Sequence, residues 1–160
     1  MKIKNGISFY KYAKTLIPGG TTLFSKRSEL HLPNKWPAYF TKAKKINVWD
    51  LKGDKYLDMF CAVGTSVLGY GNVKVTNSIL KNINKGNMTT LNCPEEVYLS
   101  KQLINHHSWA DMVKFTRAGG EANALAIRIA RSNTKKKNVA FCGYHGWHDW
   151  YLSANINSKK

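Results

Sequence analysis

Acidic side chains are scarce in this sequence. Nine aspartates and glutamates stand against 25 lysines and arginines, which gives a formal charge of +16 at pH 7 and a sequence pI near 9.9. Such an excess favours encounter with polyanions. The lysines are nevertheless spread along the chain, and only Lys135-Lys136-Lys137 form a run of three. No RNP-type, zinc-finger or helix-turn-helix signature accompanies the charge, so nucleic acid is not an expected partner. Cysteine is also sparse. Cys61, Cys93 and Cys142 are odd in number, far apart and without a C-x-x-C pair, which excludes a disulfide framework and a zinc ribbon. No apolar run approaches the ~18 residues of a membrane span, and the opening Met1-Lys2-Ile3-Lys4-Asn5-Gly6 lacks a signal-peptide core. A soluble, cytoplasmic chain with no membrane partner is expected. What is present is ordinary globular material, 43% hydrophobic over 160 residues, enough for one packed domain.

Taken in order, residues 8–17 set Phe9, Tyr12, Ala13 and Leu16 at helical spacing, and Pro18-Gly19-Gly20 stops the helix. Residues 21–32 show no period and read as a loop carrying Lys26 and Arg27; the Arg27 guanidinium could hold a carboxylate or phosphate, or simply be solvated. From 45 to 59 the period falls to two, with Ile46, Val48 and Tyr56 on one face and Trp49 and Leu57 on the other, broken by Asp50-Leu51-Lys52-Gly53-Asp54: a hairpin. Residues 61–72 contain Gly64, Gly69 and Gly71 among small and apolar residues and suit close backbone packing. Thr76, Ile79, Leu80 and Ile83 predict a helix ended at Gly86. A second helix is predicted from Pro94, with Glu95 and Glu96 in its first turn, Val97, Leu99, Leu103 and Ile104 inward, and His106 and His107 at its end.

The densest signal runs from Asp111 to Trp150. Met112-Val113-Lys114-Phe115-Thr116 reads as a buried strand, and Ala122, Leu125, Ala126 and Ile129 as the apolar face of a following helix. Between them, Gly119-Gly120 brings unpaired N–H groups and the helix dipole to one point where an anion fits without a lysine. A plain tight turn explains the same residues, since neither a G-x-G-x-x-G nor a P-loop is present. The second run, Asn138-Val139-Ala140-Phe141-Cys142, is predicted to return parallel to the first. It would release Tyr144 and His145 at the same sheet edge as Gly119 and Gly120. An aromatic ring beside a phosphate site suggests a flat phosphorylated cofactor. A metal site from His145, His148 and Asp149 is the competing reading, but no fixed-spacing motif supplies its remaining ligands.

At these residues the sequence resembles the class III aminotransferases, pyridoxal-phosphate enzymes of fold type I, and in particular their glutamate-1-semialdehyde aminomutase-like branch. Pro18-Gly19-Gly20 resembles that branch's P-G-G, the segment Trp49 to Asp58 its D-x-D-G-x-x-Y-x-D hairpin, and Val67-Leu68-Gly69-Tyr70 its I-L-G-H turn. Asn92-Cys93-Pro94-Glu95-Glu96 and Ala126-Ile127-Arg128-Ile129-Ala130-Arg131 also fit.

The resemblance implies an α/β fold in three parts: an N-terminal arm and loop (1–35), a small-domain hairpin and glycine-rich segment (36–72), and the start of a large cofactor-binding domain (73–160). It places the family's S-G-T-E-A phosphate cup on Ala118, Gly119, Gly120, Glu121 and Ala122, and its Y-H-G on Tyr144, His145 and Gly146. Tyr144 would then stack on the ring of pyridoxal 5'-phosphate, with His145 beside it. Ala118 and Gly120 stand where the family has hydroxyl residues, so the phosphate would rest more on backbone N–H groups. Val63 stands where the aminomutases carry a tryptophan, so another amino-group transfer is as well supported as the aminomutase isomerisation. The family implies a small-molecule amino donor and acceptor and a homodimer. Its Schiff-base lysine and ring-nitrogen aspartate belong to a later part of a chain more than twice as long. As 160 residues the chain is therefore expected to be a truncated form that does not transaminate alone. A non-catalytic basic binding module and a remnant of a degraded gene are the alternatives.

Overall fold

A computed structural model describes residues 5–86 and 89–151. The contacts divide the chain into two units, Met1–Thr89 and Thr90–Lys160, taken one at a time below. Among the described residues no helix is long and apolar enough to cross a membrane.

The first unit begins with α1, Gly6–Leu16, whose N-cap Asn5 accepts a bond from the Ile7 N–H. Pro18–Gly20 then breaks the helix as expected, with Gly19 and Gly20 at φ 73° and 76°. The buried face differs from the predicted one. Tyr10 and Ala13 are buried, whereas Tyr12 and Leu16 are 46% and 65% exposed. The Gly19-Gly20 turn folds the following segment back onto the Tyr10 side, where a Cβ on Gly20 would lie 2.8 Å from the Tyr10 ring. The segment read as a loop contains two short 3-10 turns, Phe24–Lys26 and Ser28–Leu30.

The hairpin is present and has a third strand. β1 (Phe40–Lys44), β2 (Asn47–Asp50) and β3 (Lys55–Leu57) form an antiparallel sheet in sequence order. Its register pairs Val48 with Ala43 and Tyr56 on one face, and Trp49 with Lys42 and Lys55 on the other. Both ammonium groups lie over the indole ring, at 5.0 and 5.9 Å. The tight turn is held by Asp50, whose carboxylate accepts from the Lys52 and Asp54 N–H groups at 2.8 and 2.9 Å.

Beyond β3 the Asp58 carboxylate accepts from Phe60 N–H at 2.9 Å, Cys61 N–H at 3.1 Å and the Tyr70 hydroxyl. The Tyr70 bond, with help from those two backbone bonds, keeps Asp58 below its ordinary carboxylate range. The same bond and burial push Tyr70 up to about 12. Between them Cys61, Ala62, Val63 and Gly64 all take positive φ (46°, 50°, 60° and 81°). Lys45 and Tyr70 close the segment by exchanging backbone bonds of 2.8 and 2.7 Å. The unit ends with α2, Val73–Ile83, capped by Asn72 and followed by Gly86 at φ 90°.

The second unit holds α3 (Pro94–His106) and α4 (Gly119–Thr134), starting and stopping close to where the sequence places them. Lys135 closes α4 in a left-handed conformation, and Arg131 and Lys135 to Lys137 line an open basic surface there. Three expectations need correction. The segments 112–116 and 138–142 carry no ladder bonds, because the sheet described is the β1–β3 sheet of the first unit. A parallel pair is weaker per residue than an antiparallel one and requires flanking strands and covered faces, which the described residues of this unit do not supply. On α3, Leu103 and Ile104 are half-buried as predicted but Val97 and Leu99 are exposed, for the same want of a packing partner. On α4 the half-buried residues are Gly120, Asn123, Ala124, Leu125 and Ile127, while Ala122, Ala126 and Ile129 are exposed. The covered side of that helix is set at its start, where a loop lies against it.

Candidate cofactor site

The start of α4 has an extended N-cap, Ala118 (φ −146°, ψ 157°), whose methyl side chain makes no capping bond. Ala122 N–H is bonded to the Ala118 carbonyl at 3.0 Å, so the donors of the turn ahead of it belong to Gly119, Gly120 and Glu121. A Cβ on Gly119 would meet nothing within 4 Å, so the space beside its backbone is open. The Glu121 carboxylate, the nearest negative charge in sequence, accepts from Arg117 N–H at 2.9 Å, the residue before the cap.

The loop after residue 142 comes to this helix end, as the sequence predicts for Tyr144 and His145, although no strand ladder carries it there. A Cβ on Gly146 would lie 3.3 Å from the Gly120 Cα, an approach that needs glycine at 146, where φ is 99°. The Asn123 amide donates to the His145 carbonyl at 3.2 Å and fastens the loop to the first turns of α4. His148 packs against Gly120: a Cβ there would lie 2.8 Å from the imidazole Cδ2 and 2.9 Å from Nε2. Neither contact was legible beforehand. Asn123 carries no signal in the sequence pattern, and His148 reads there only as a possible metal ligand. Among the described residues no cluster of three or more metal-ligating side chains occurs.

Tyr144 is 79% exposed, its ring edge-on to Tyr151 at 6.2 Å. His145 Nε2 lies 2.5 Å from the Cys142 carbonyl, which can only accept, so Nε2 carries a proton in that bond. Phe141 lies edge-on to His145, Trp150 and Tyr151 at 6.3, 6.1 and 5.1 Å, and the Tyr151 hydroxyl donates to Gly143 at 2.8 Å. The structure thus brings Ala118, Gly119, Gly120 and His145 to one helix end with Tyr144 on the same loop. The arrangement offers backbone donors to an anion and an exposed aromatic ring beside them.

Arg27 belongs to the first unit. It is not a solvated loop residue: its guanidinium lies 4.9 Å from the Phe24 ring centre and flat against Gly19, where a Cβ would be 2.7 Å from Cζ. Its Nε is buried with no hydrogen-bond partner among the described residues. Beside it, the Tyr10 hydroxyl lies 2.8 Å from Glu29 Oε2 and 3.0 Å from the Gly19 carbonyl, and Lys14 pairs with the other Glu29 oxygen. The Lys14 bond, with backbone and Tyr10 bonds, lowers Glu29 to about 2. Lys14 is raised by the same partner, and Tyr10 is raised by burial and then by Glu29.

Comparison with known proteins places the chain in a family. The family model for aminotransferase class-III matches residues 31–160. A 3-aminobutyryl-CoA aminotransferase of Cloacimonas acidaminovorans is 33% identical over 94% of this chain and 36% of its own length. A glutamate-1-semialdehyde 2,1-aminomutase of Methanothrix thermoacetophila is 31% identical over 95% of the chain and 35% of its own. Among solved structures, a PLP form of the Sphingopyxis sp. MTA144 FumI protein superposes with a TM-score of 0.84 at 27% identity, over 92% of this chain and 36% of that one. The chain spans about a third of the length of the relatives it matches.

Proposed function

This chain belongs to the class-III aminotransferase family, whose members depend on pyridoxal phosphate, and we propose that Ala118, Gly119 and Gly120 form the phosphate cup for that cofactor. The observation that carries the proposal is the meeting of an uncapped helix start, open beside Gly119, with the Tyr144–His145 loop. The residues fit the group: the first-turn N–H groups would hold the phosphate, Tyr144 would cover the ring and His145 would border it. When bound, the cofactor supplies a conjugated ring that draws electrons from the carbon bearing the amino group. The chain's own part is to bind, orient and exclude water. The Gly120–Gly146 approach keeps solvent from one side of the cup, and the His145 Nε2–H bond to Cys142 sets which ring nitrogen can accept a proton.

The reaction of the full-length protein is then amino-group transfer between small molecules, by an aminotransferase or aminomutase acting as a homodimer. Arg27, pre-set against Phe24 and Gly19 with an unpaired Nε, would take a substrate carboxylate. None of these 160 residues matches the Schiff-base lysine, so the isolated chain should bind cofactor without turning over substrate. The test uses pyridoxamine phosphate, which cannot condense with surface lysines, and inorganic phosphate. Tyr144→Ala is expected to weaken the first about fivefold, the loss of one stacked ring, and to leave the second unchanged. Equal binding of pyridoxamine phosphate by both proteins would remove Tyr144 from the site.

A further inference from the structure

Tyr144 is the loop residue whose placement matters most to a flat ligand, and its own side chain does little to fix it. The ring is 79% exposed, and its ring contact among the described residues is the edge of Tyr151 at 6.2 Å. A ring so little packed is placed by its backbone, and that backbone is bonded on both sides. The Gly143 carbonyl, just before it, accepts from the Tyr151 hydroxyl at 2.8 Å, and the His145 carbonyl, just after it, accepts from the Asn123 amide at 3.2 Å. The two bonds tie the loop to different things. Tyr151 lies on the segment that continues the loop, so its bond closes the loop on itself. Asn123 is half-buried on α4, one turn past Gly119, and its bond joins residues 22 positions apart. Gly146 also meets α4, against the Gly120 Cα, but a contact between two glycines has no direction and does not set the rotation of the loop.

We propose that Asn123 is a positioning residue for the cofactor ring, its amide holding the His145 carbonyl and, through it, Tyr144 in one place relative to the start of α4. This rests on the cup and ring assignments above and adds a residue to them. Asn123 acts through the loop. A ligand that uses both the first-turn N–H groups and the Tyr144 ring binds with an affinity scaled by the fraction of molecules in which the loop is in place, and the amide bond raises that fraction. Inorganic phosphate uses the helix start alone and does not draw on the bond. A residue that merely supported the fold of α4 would affect both ligands alike.

The test is a double-mutant cycle on the 160-residue chain, each variant titrated below its thermal transition with pyridoxamine phosphate and with inorganic phosphate. Asn123→Leu keeps the volume and removes the donor. It is expected to weaken pyridoxamine phosphate about threefold, within the loss of one stacked ring, and to leave inorganic phosphate unchanged. Asn123→Ala, which removes the donor without adding an apolar branch, should do the same. On a Tyr144→Ala background neither substitution should have a further effect, since its action passes through the ring. Three results overturn the proposal and leave the cup in place: unchanged affinity in the Asn123 variants beside a loss in Tyr144→Ala, an equal loss for both ligands, and losses that add in the double variant. A Tyr144→Ala chain that binds both ligands as the wild type does overturns the ring assignment, and a wild type that binds neither overturns the cup; the role of Asn123 falls with either.

Discussion

The two units of the chain treat hydrogen bonding differently. In the first, an antiparallel sheet closes its ladders between strands joined by two-residue and four-residue turns, and side chains such as Asp50 and Asp58 satisfy the turn backbone. In the second, two helices form without side-chain N-cap bonds, on local spacing and acidic first-turn residues, while the two β-rich segments find no ladder among the described residues. Contacts between near neighbours in sequence are completed within the unit; parallel pairing requires partners from further away. The proposed cup residues lie in the second unit, where loop contacts stand in place of the expected sheet edge.

The largest test of that contrast is Gly20→Val. A positive φ and a Cβ 2.8 Å from the Tyr10 ring together cost about 3 kcal/mol, read as a lower denaturation midpoint. Gly119→Ala, opening onto empty space, should change stability by less than about 0.5 kcal/mol. If the two cost the same, the packing difference between the units is not real. Next, Tyr70→Phe removes the hydroxyl bond to Asp58 and should cost about 1 kcal/mol, with hydrogen exchange speeding at residues 60–66 and not at 112–116.

A pH series separates the units further. Glu29 is lowered from 4.5 to about 2 in the folded chain, so its contribution is complete above the unfolded value and is lost as pH falls through the folded one. The melting temperature of wild type should therefore drop between about pH 4.5 and 2, and Glu29→Gln should flatten that part of the curve. Lys14, raised by the same pair, contributes fully below its unfolded value and is lost as pH rises past its folded one. A local effect is expected of Asn123→Ala. Losing the 3.2 Å bond to the His145 carbonyl should cost no more than about 1 kcal/mol and show mainly as broadened backbone resonances over residues 143–148.

Much of this was legible in residue order. Pro18-Gly19-Gly20, Pro94 with Glu95 and Glu96, and the Asp50–Asp54 turn each act through local backbone preference, which a sequence displays directly. The glycine turn ahead of α4 and the nearness of the Tyr144–His145 loop were legible too. What was missed depends on tertiary contact. The buried face of α1 rotated toward Tyr10 because a later turn folds onto it. β1 was overlooked because Lys42 and Lys44 hide its alternation, and Trp49 accounts for Lys42 only once the strands are paired. The fit of His148 to Gly120 joins residues 28 positions apart through a loop, and no spacing rule encodes it.

The left-handed run at Cys61, Ala62 and Val63 reverses the ordinary sign of a substitution. Glycine introduced into a folded segment usually costs stability, because the unfolded chain gains freedom. Here three side chains already bear the steric penalty of positive φ, about 1 kcal/mol or more apiece, and Val63 adds a β-branch. Replacing any of them with glycine should raise the melting temperature, Val63→Gly the most. A lowered one would mean that these side chains secure the turn by contacts stronger than its strain.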